Sequence, residues 1–292
     1  MSISRVEVSN PQFAPNKLML LTISSTNLHT QSGNVQQKSA EPPRVRRQDV
    51  CIYNAYSEQK NLPVVLLLHG VYGNHWAWMF SGGAHLVLDK LREQGLSEFV
   101  LVMPSDGGIW DGSAYLPLRK GGNFERWIVD DVISAVTQHV DSVSESSNVY
   151  IAGLSMGGYG ALRLGSKYPD LFSGISAHSA VTELADLSQF TQTDLRAYAT
   201  ADDNEPSVLY WMKQHKNSLP PIRFDCGKDD VLFEANKALT SQMNKLGIAH
   251  RFEAFEGGHE WDYWHQHLDK SLKFFDEIER NKAAAPKQSG KK

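Results

Sequence analysis

The sequence has little cysteine and no long apolar run. Its two cysteines, Cys51 and Cys226, are too few for a disulfide framework, which a chain of 292 residues does not need. The longest apolar runs, such as Val64 to Leu68, are far too short to cross a bilayer. The N-terminus also lacks the apolar core of a signal peptide. We therefore expect a soluble cytoplasmic protein that does not associate with membranes.

An excess of positive charge is absent as well. The formal net charge is −4, so no electrostatic footprint for a phosphate backbone exists, and nucleic acid is not an expected partner. A length of 292 residues allows one large domain or two small ones. Because no internal repeat and no linker interrupts the pattern, we expect a single domain over residues 1–292.

Short β-rich runs alternate with longer helical patterns after residue 62. Strands are predicted at 17–23, 48–55, 64–69, 99–104, 148–153, 174–180, 221–227 and 250–257. Helices are predicted near 84–94, 124–140, 156–167, 205–216, 231–246 and 262–280. This alternation predicts an α/β fold whose central sheet is mostly parallel, with helices on both faces.

Three segments depart from the alternation. Residues 1–61 are expected to hold N-terminal strands and a polar loop, which covers 24–47. Residues 181–220 are less regular and suggest an insertion near the site. The tail 282–292 has no periodicity and is predicted to be disordered.

One glycine-rich stretch carries the strongest chemical signal. Gly153-Leu154-Ser155-Met156-Gly157 matches G-x-S-x-G and lies between a β-rich run and a helical run. This context is the one that a nucleophile elbow requires, because the serine sits on a tight strand-to-helix turn. The alternative is a glycine-rich turn with an ordinary serine.

A serine nucleophile needs a histidine base and a carboxylate, and the α/β-hydrolase order is Ser, then Asp or Glu, then His. Asp229 and Asp230 follow the predicted strand 221–227, and His259 follows the last predicted strand. We choose Asp230 as the acid over Asp229, although spacing alone does not separate them. Either carboxylate could instead cap the helix that follows.

The transition state also needs amide donors for its oxyanion. Met156, directly after the nucleophile, supplies one N–H, and the loop from His69 to Asn74 supplies the other. Val71 is the candidate, with Tyr72 as the alternative. His69 is a plausible wall of this oxyanion loop.

Aromatic residues near the predicted strand ends are candidates for the substrate pocket. Tyr72, Trp110 and Tyr115 are assigned there, whereas Trp76, Trp78, Trp261 and Trp264 are expected to be packing residues. Asp106 and Asp111 are expected to fix a turn. His265 and His267 are two positions apart on a helix and so do not share a face, which argues against a metal site.

Five segments together resemble the esterase D-like (putative esterase) family: LLLHGVYGNHWAW, MPSD, GLSMGGYGAL, CGKDDVL and GGHEWDYW. The resemblance runs from about residue 62 to 275 and implies an α/β-hydrolase fold and acyl-ester chemistry. It marks Ser155, Asp230 and His259 as the triad and the amides of Val71 and Met156 as oxyanion donors. The S-formylglutathione hydrolases carry Ser-Gly-Leu-Thr-Cys where this chain has His-Gly-Val-Tyr-Gly. The tributyrin- and feruloyl-type esterases are therefore the closer analogues.

The leading hypothesis is a serine esterase that hydrolyses short-chain or small aromatic acyl esters through an acyl-enzyme, without cofactor or metal. The alternatives are acyl transfer to an alcohol and a non-catalytic binding protein of the same fold. A peptidase is disfavoured because no gating domain accompanies the hydrolase segment. The only expected partner is a small ester, and the oligomeric state is not readable from the chain.

Overall fold

The nine strands that the structure describes join one sheet. The computed structural model describes residues 2–14, 17–28 and 46–284. The strands are β1 Ile3–Val8, β2 Leu18–Ser25, β3 Arg46–Tyr53, β4 Val64–Leu68, β5 Val100–Pro104, β6 Val149–Leu154, β7 Gly174–His178, β8 Ile222–Gly227 and β9 Arg251–Phe255. Their order across the nine-stranded sheet is β1-β2-β3-β5-β4-β6-β7-β8-β9.

The sheet is parallel from β5 through β4 and β6 to β9, and antiparallel at its β1–β3 side. The predicted α/β-hydrolase fold with a mostly parallel sheet is confirmed. Because the carboxyl ends of the parallel strands share one edge, the loops after β4, β5, β6, β8 and β9 meet there.

Helices cover both faces of the sheet. They are α1 Ala84–Glu93, α2 Phe124–Arg126, α3 Ile133–His139, α4 Met156–Lys167, α5 Val208–Gln214, α6 Phe233–Leu246 and α7 Trp261–Ala284. Shorter helical turns span Ala77–Ser81, Trp127–Val132, Leu184–Gln189 and Leu195–Tyr198.

The continuous apolar run of β4 divides between two cores. Val64 and Leu66 pack into one cluster, with side chains of α3, α4 and α6. Val65 and Leu67 pack into the other, with side chains of α1 and α7. Alternate residues of a strand point to opposite faces, so a strand covered on both sides must be apolar throughout.

The structure corrects the N-terminal part of the sequence interpretation. β1 was not predicted, because its half-exposed ISRVEV pattern belongs to an edge strand. β2 continues to Ser25 and β3 begins at Arg46, so the predicted polar loop is shorter at both ends. The remainder of that loop, from 29 to 45, lies outside the described residues.

The C-terminal helix is longer than predicted. α7 ends at Ala284, so residues 282–284 of the tail predicted to be disordered are helical. Lys282 stabilises this last turn, since its ammonium group bonds Asn148 Oδ1 at 3.0 Å and Ser173 Oγ at 2.8 Å. The tail beyond residue 284 lies outside the described residues.

A fully buried polar network ties β7 and β8 to α7. His178 Nδ1 lies 3.1 Å from Asp225 Oδ1, and His178 Nε2 lies 2.7 Å from Ser271 Oγ. Asp225 also accepts from Tyr263 Oη at 2.9 Å and pairs with Arg223 Nη1 at 2.7 Å. Each charged group in this network thus has a partner, which burial requires.

In the described part of the chain, no helix is long and apolar enough to cross a membrane.

Candidate active site

Ser155 sits at the turn between β6 and α4 with a strained backbone. Its φ of 54° and ψ of −119° lie where non-glycine residues are rarely found, and such strain is typical of functional positions. The flanking glycines permit the turn: a Cβ on Gly153 would lie 2.2 Å from Gly157 O, and a Cβ on Gly157 would lie 2.2 Å from Leu68 O. The serine is nearly buried, with 2% of its surface exposed.

His259 links Ser155 to Asp230. Its Nε2 lies 3.0 Å from Ser155 Oγ, and its Nδ1 lies 2.9 Å from Asp230 Oδ2. The three side chains come from the loops after β6, β8 and β9, at the shared edge of the sheet. Nδ1 donates to the carboxylate, which leaves Nε2 to accept the serine proton. This arrangement can activate a hydroxyl as a nucleophile.

The two neighbouring aspartates have different surroundings in the structure. Asp230 is buried against His259, whereas Asp229 is exposed and only its backbone N–H is engaged, donating to Gly257 O at 3.0 Å. Asp230 also accepts from the N–H of Leu232 at 2.8 Å, so the same carboxylate caps the start of α6. Burial alone would raise the pKa of Asp230, but the hydrogen bonds from His259 and Leu232 hold it below its ordinary value.

The peptide between Gly70 and Val71 is fixed by its carbonyl. Gly70 O accepts from His69 Nδ1 at 2.7 Å and from Gly73 N–H at 3.1 Å. In a trans peptide the N–H points away from the carbonyl, so these bonds turn the Val71 N–H to the opposite side. Neither Val71 N–H nor Met156 N–H bonds another residue within the described ranges, and Val71 and Ser155 line the same cavity.

Tyr72, the alternative donor, is engaged elsewhere. Its N–H donates to Asp111 O at 2.9 Å, so it is not available to an oxyanion in this arrangement. His69 is almost fully buried, and its Nε2 accepts from the N–H of Asp106 at 3.1 Å. Its ring therefore connects the oxyanion loop to the loop after β5.

The cavity at Ser155 has a volume of about 200 Å³ and aromatic walls. Its aromatic lining consists of Tyr72, Phe190, Trp261 and Trp264. Phe190 stacks on the imidazole of His259 with ring centroids 4.6 Å apart, and Trp264 meets the same ring edge-on at 5.0 Å. Phe190 was missed from the sequence. It lies in the irregular segment 181–220, where only the suggested insertion pointed to it.

Two of the three predicted pocket residues are not in the lining of this cavity. Tyr115 is completely buried, where its hydroxyl donates to His69 O at 2.9 Å. Trp110 is half-exposed and contacts Tyr198 edge-on at 5.6 Å. Loop residues near a strand end need not point into the crevice, and neither of these side chains lines the cavity at Ser155. Tyr72 lies among the lining residues of the cavity.

The tryptophans and the other acidic residues also have defined places. Trp261 and Trp264 pack on the same core and also line the cavity, whereas packing alone was expected. Asp106 fixes its turn, since its carboxylate accepts from the N–H groups of Gly108 at 3.0 Å and Ser113 at 2.5 Å. His265 bonds Gly82 O at 2.8 Å, while His267 stacks on Phe255.

Two larger grooves, of about 540 and 550 Å³, lie away from the Ser155 cavity. Neither has a hydrogen-bonded serine–histidine pair among its described lining residues. The smaller cavity is therefore the candidate active site.

The fold and this Ser–His–Asp geometry define an α/β-hydrolase. Residues 44–275 match the family described as "Putative esterase", and the chain belongs to this family. It is 29% identical over 238 residues to an acetyl esterase of Caldicellulosiruptor saccharolyticus, covering 76% of this chain and 86% of that protein. The protein is thus an enzyme of the carboxylesterase type.

Solved structures agree in fold. A fluorophosphonate-binding serine hydrolase F of Staphylococcus aureus superimposes with a TM-score of 0.72 at 20% identity, over 90% of this chain and 99% of that one. A ferulic acid esterase also gives a TM-score of 0.72, at 24% identity, over 94% of this chain and 99% of that one.

Proposed function

We propose that the protein hydrolyses short-chain or small aromatic carboxylic esters with Ser155 as nucleophile, His259 as base and Asp230 as the orienting acid. The observation that carries this proposal is the hydrogen-bonded chain from Ser155 Oγ through the imidazole to the Asp230 carboxylate. Family membership supplies the esterase chemistry, and the site supplies the residues.

The reaction follows from the direction of these bonds. His259 Nε2 takes the proton as Ser155 Oγ attacks the ester carbonyl, and the Val71 and Met156 amides receive the negative oxygen. The ester C–O bond then breaks, and the alcohol leaves with the proton from His259. His259 then takes a proton from a water molecule, which attacks the acyl carbonyl. The bond between this carbon and Ser155 Oγ breaks, Oγ receives the proton from His259, and the carboxylic acid leaves.

The size of the cavity supports a small substrate. About 200 Å³ between aromatic walls leaves room for a short or planar acyl group beside the buried Ser155. The acetyl esterase relative supports the same substrate class.

Hydrolysis of p-nitrophenyl acetate, butyrate and octanoate and of a feruloyl ester by wild type and Ser155→Ala tests this function. We expect kcat on accepted esters to fall by more than about 10⁴-fold in the variant. Labelling by a fluorophosphonate probe should disappear with it. Ser271→Ala is the matched control, because this serine also bonds a histidine but is completely buried.

Turnover that persists in folded Ser155→Ala would contradict the proposal. If added glycerol takes up the acyl group in place of water, so that a glycerol ester forms, the assignment changes to acyl transfer with the same nucleophile.

A further inference from the structure

Asp111 touches two parts of the active site at once. It lies in the loop between β5 and α2, and its backbone carbonyl accepts the N–H of Tyr72 in the oxyanion loop at 2.9 Å. Its carboxylate Oδ2 accepts from Thr191 Oγ at 2.7 Å and from the N–H of Gln192 at 2.9 Å. The oxyanion loop and the segment 184–198 are thereby joined through a single residue.

The carboxylate contact lies next to the aromatic wall of the cavity. Thr191 directly follows Phe190, the side chain that stacks on His259. The Phe190 N–H and the Thr191 N–H both donate to Leu187 O, at 2.9 and 3.0 Å. These bonds restrict the backbone between Phe190 and Thr191, so the Asp111 carboxylate that anchors Thr191 also positions the Phe190 ring. The hydrogen bonds from Thr191 and Gln192 hold the pKa of Asp111 below its ordinary value, so the anchor is ionised at neutral pH.

We propose that Asp111 is a positioning residue that holds Phe190 against His259 and so limits the size of the group that the cavity accepts. The inference rests on the proposed hydrolysis at Ser155. The carbonyl of Asp111 holds the oxyanion loop, and its carboxylate holds the segment that carries Phe190. The residue therefore fixes two parts of the cavity lining relative to each other.

Other hydrogen bonds hold this segment besides those of the Asp111 carboxylate. The segment 184–198 keeps a second link to the same loop, because Tyr198 Oη donates to Gly112 O at 2.9 Å. Beyond it, Arg119 N–H donates to Ala199 O at 2.8 Å. Removal of the Asp111 side chain should consequently release Phe190 without unfolding the protein.

A double-mutant cycle with Asp111→Ala and Phe190→Ala measures the link. The readout is the ratio of kcat/KM for p-nitrophenyl octanoate to that for p-nitrophenyl acetate. We expect either variant to raise this ratio by about tenfold, since a charged hydrogen-bond anchor and the wall that it holds are lost. The double variant should show no larger change, and Asp111→Asn should retain part of the wild-type selectivity.

Asp194→Ala is the matched control. Asp194 lies in the same segment and accepts the N–H of Arg196 at 2.9 Å, but it is exposed and is not a lining residue of the cavity. The octanoate-to-acetate ratio of kcat/KM in Asp194→Ala should equal that of wild type. Hydrogen exchange of peptides covering 184–192, which end before the turn that Asp194 caps, should become faster in Asp111→Ala and stay unchanged in Asp194→Ala.

A wild-type ratio in Asp111→Ala, or effects of the two substitutions that multiply in the double variant, would overturn the proposal. Unchanged hydrogen exchange in Asp111→Ala would do so too. These results differ from a failure of the proposed function, which appears as activity that survives in Ser155→Ala.

Discussion

Adjacent residues of identical chemistry have different surroundings at the acid position. Asp230 is enclosed and faces His259, while the side chain of Asp229 is exposed at the surface. Sequence spacing predicts an acid in this loop but leaves both candidates open, because a change of one position in a loop reverses which side chain points inward. The difference is decided by the backbone path after β8.

The two amide variants provide a matched test of this assignment. Asp230→Asn should lower kcat by about 10³-fold or more, because the neutral amide no longer orients the imidazole or supports its positive charge. Asp229→Asn should leave kcat unchanged. Steady-state kinetics on p-nitrophenyl acetate measures both, and a larger loss in Asp229→Asn would reverse the assignment.

At the level of single residues, the lining of the pocket was harder to predict from the sequence than the serine and the histidine. Ser155 and His259 belong to glycine-flanked turns whose chemistry the sequence displays directly. Tyr115 and Trp110 were predicted to line the pocket because they follow a strand. Tyr115 is buried in the core instead, where its hydroxyl donates to His69 O. Side-chain direction in an irregular loop depends on contacts that are distant in sequence.

At the scale of strands and helices, Ser155 is positioned by the close approach of the turn between β6 and α4 to the end of β4. The strand-to-helix turn at Ser155 brings Gly157 against the end of β4, and only a hydrogen atom fits between them. The glycines that this contact requires can be recognised in the sequence motif. The bounds of the strand and the helix around the elbow were predicted within a few residues. β1 and the segment 184–198 were not, because their polar or irregular sequences lack a clear period.

Gly157→Ala should destabilise the protein by about 3 kcal/mol and reduce activity, since the new methyl meets a backbone carbonyl that cannot move aside. Gly258→Ala is the contrasting change. Its Cβ would come no closer than 3.9 Å to another group, and its backbone φ is not positive. Urea denaturation together with activity assays measures both variants.

A stability loss in Gly258→Ala equal to that in Gly157→Ala would show that close packing does not explain the glycines of the elbow. The expected change for Gly258→Ala is within about 0.5 kcal/mol, even though it neighbours His259.

The molecule as a whole depends on buried carboxylates for its resistance to acid. Burial alone would raise the pKa of Asp225, but His178 and Arg223 lower it from the ordinary value of 3.8 to about 2. A depressed folded-state pKa stabilises the protein above the unfolded value and loses that effect as the pH falls through the folded value. The contribution of Asp225 is therefore complete above about pH 4 and is lost towards pH 2.

Asp225→Asn should lower the free energy of unfolding at pH 7 by about 3 kcal/mol, because the buried Arg223 loses its counter-charge. The variant should also show a shallower decline in stability between about pH 4 and pH 2. Denaturation with urea at a series of pH values measures both effects. Glu234→Gln, which removes a carboxylate from an exposed pair with Lys237, should leave the curve unchanged.

An identical acid profile in Asp225→Asn and wild type would assign the loss of stability to other carboxylates. Glu125 is the next candidate, since Arg163 and Lys167 counteract the effect of its burial and bring its pKa to about 2.

The network around Asp225 contains a second serine, histidine and aspartate in the same bonding order as the active site. Ser271 Oγ lies 2.7 Å from His178 Nε2, and Ser155 Oγ lies 3.0 Å from His259 Nε2. A search for catalytic triads by interatomic distance alone would return both sets from this one chain. What distinguishes them is whether a molecule from solution can reach the serine, so a geometric template for this chemistry needs an access path as part of its definition.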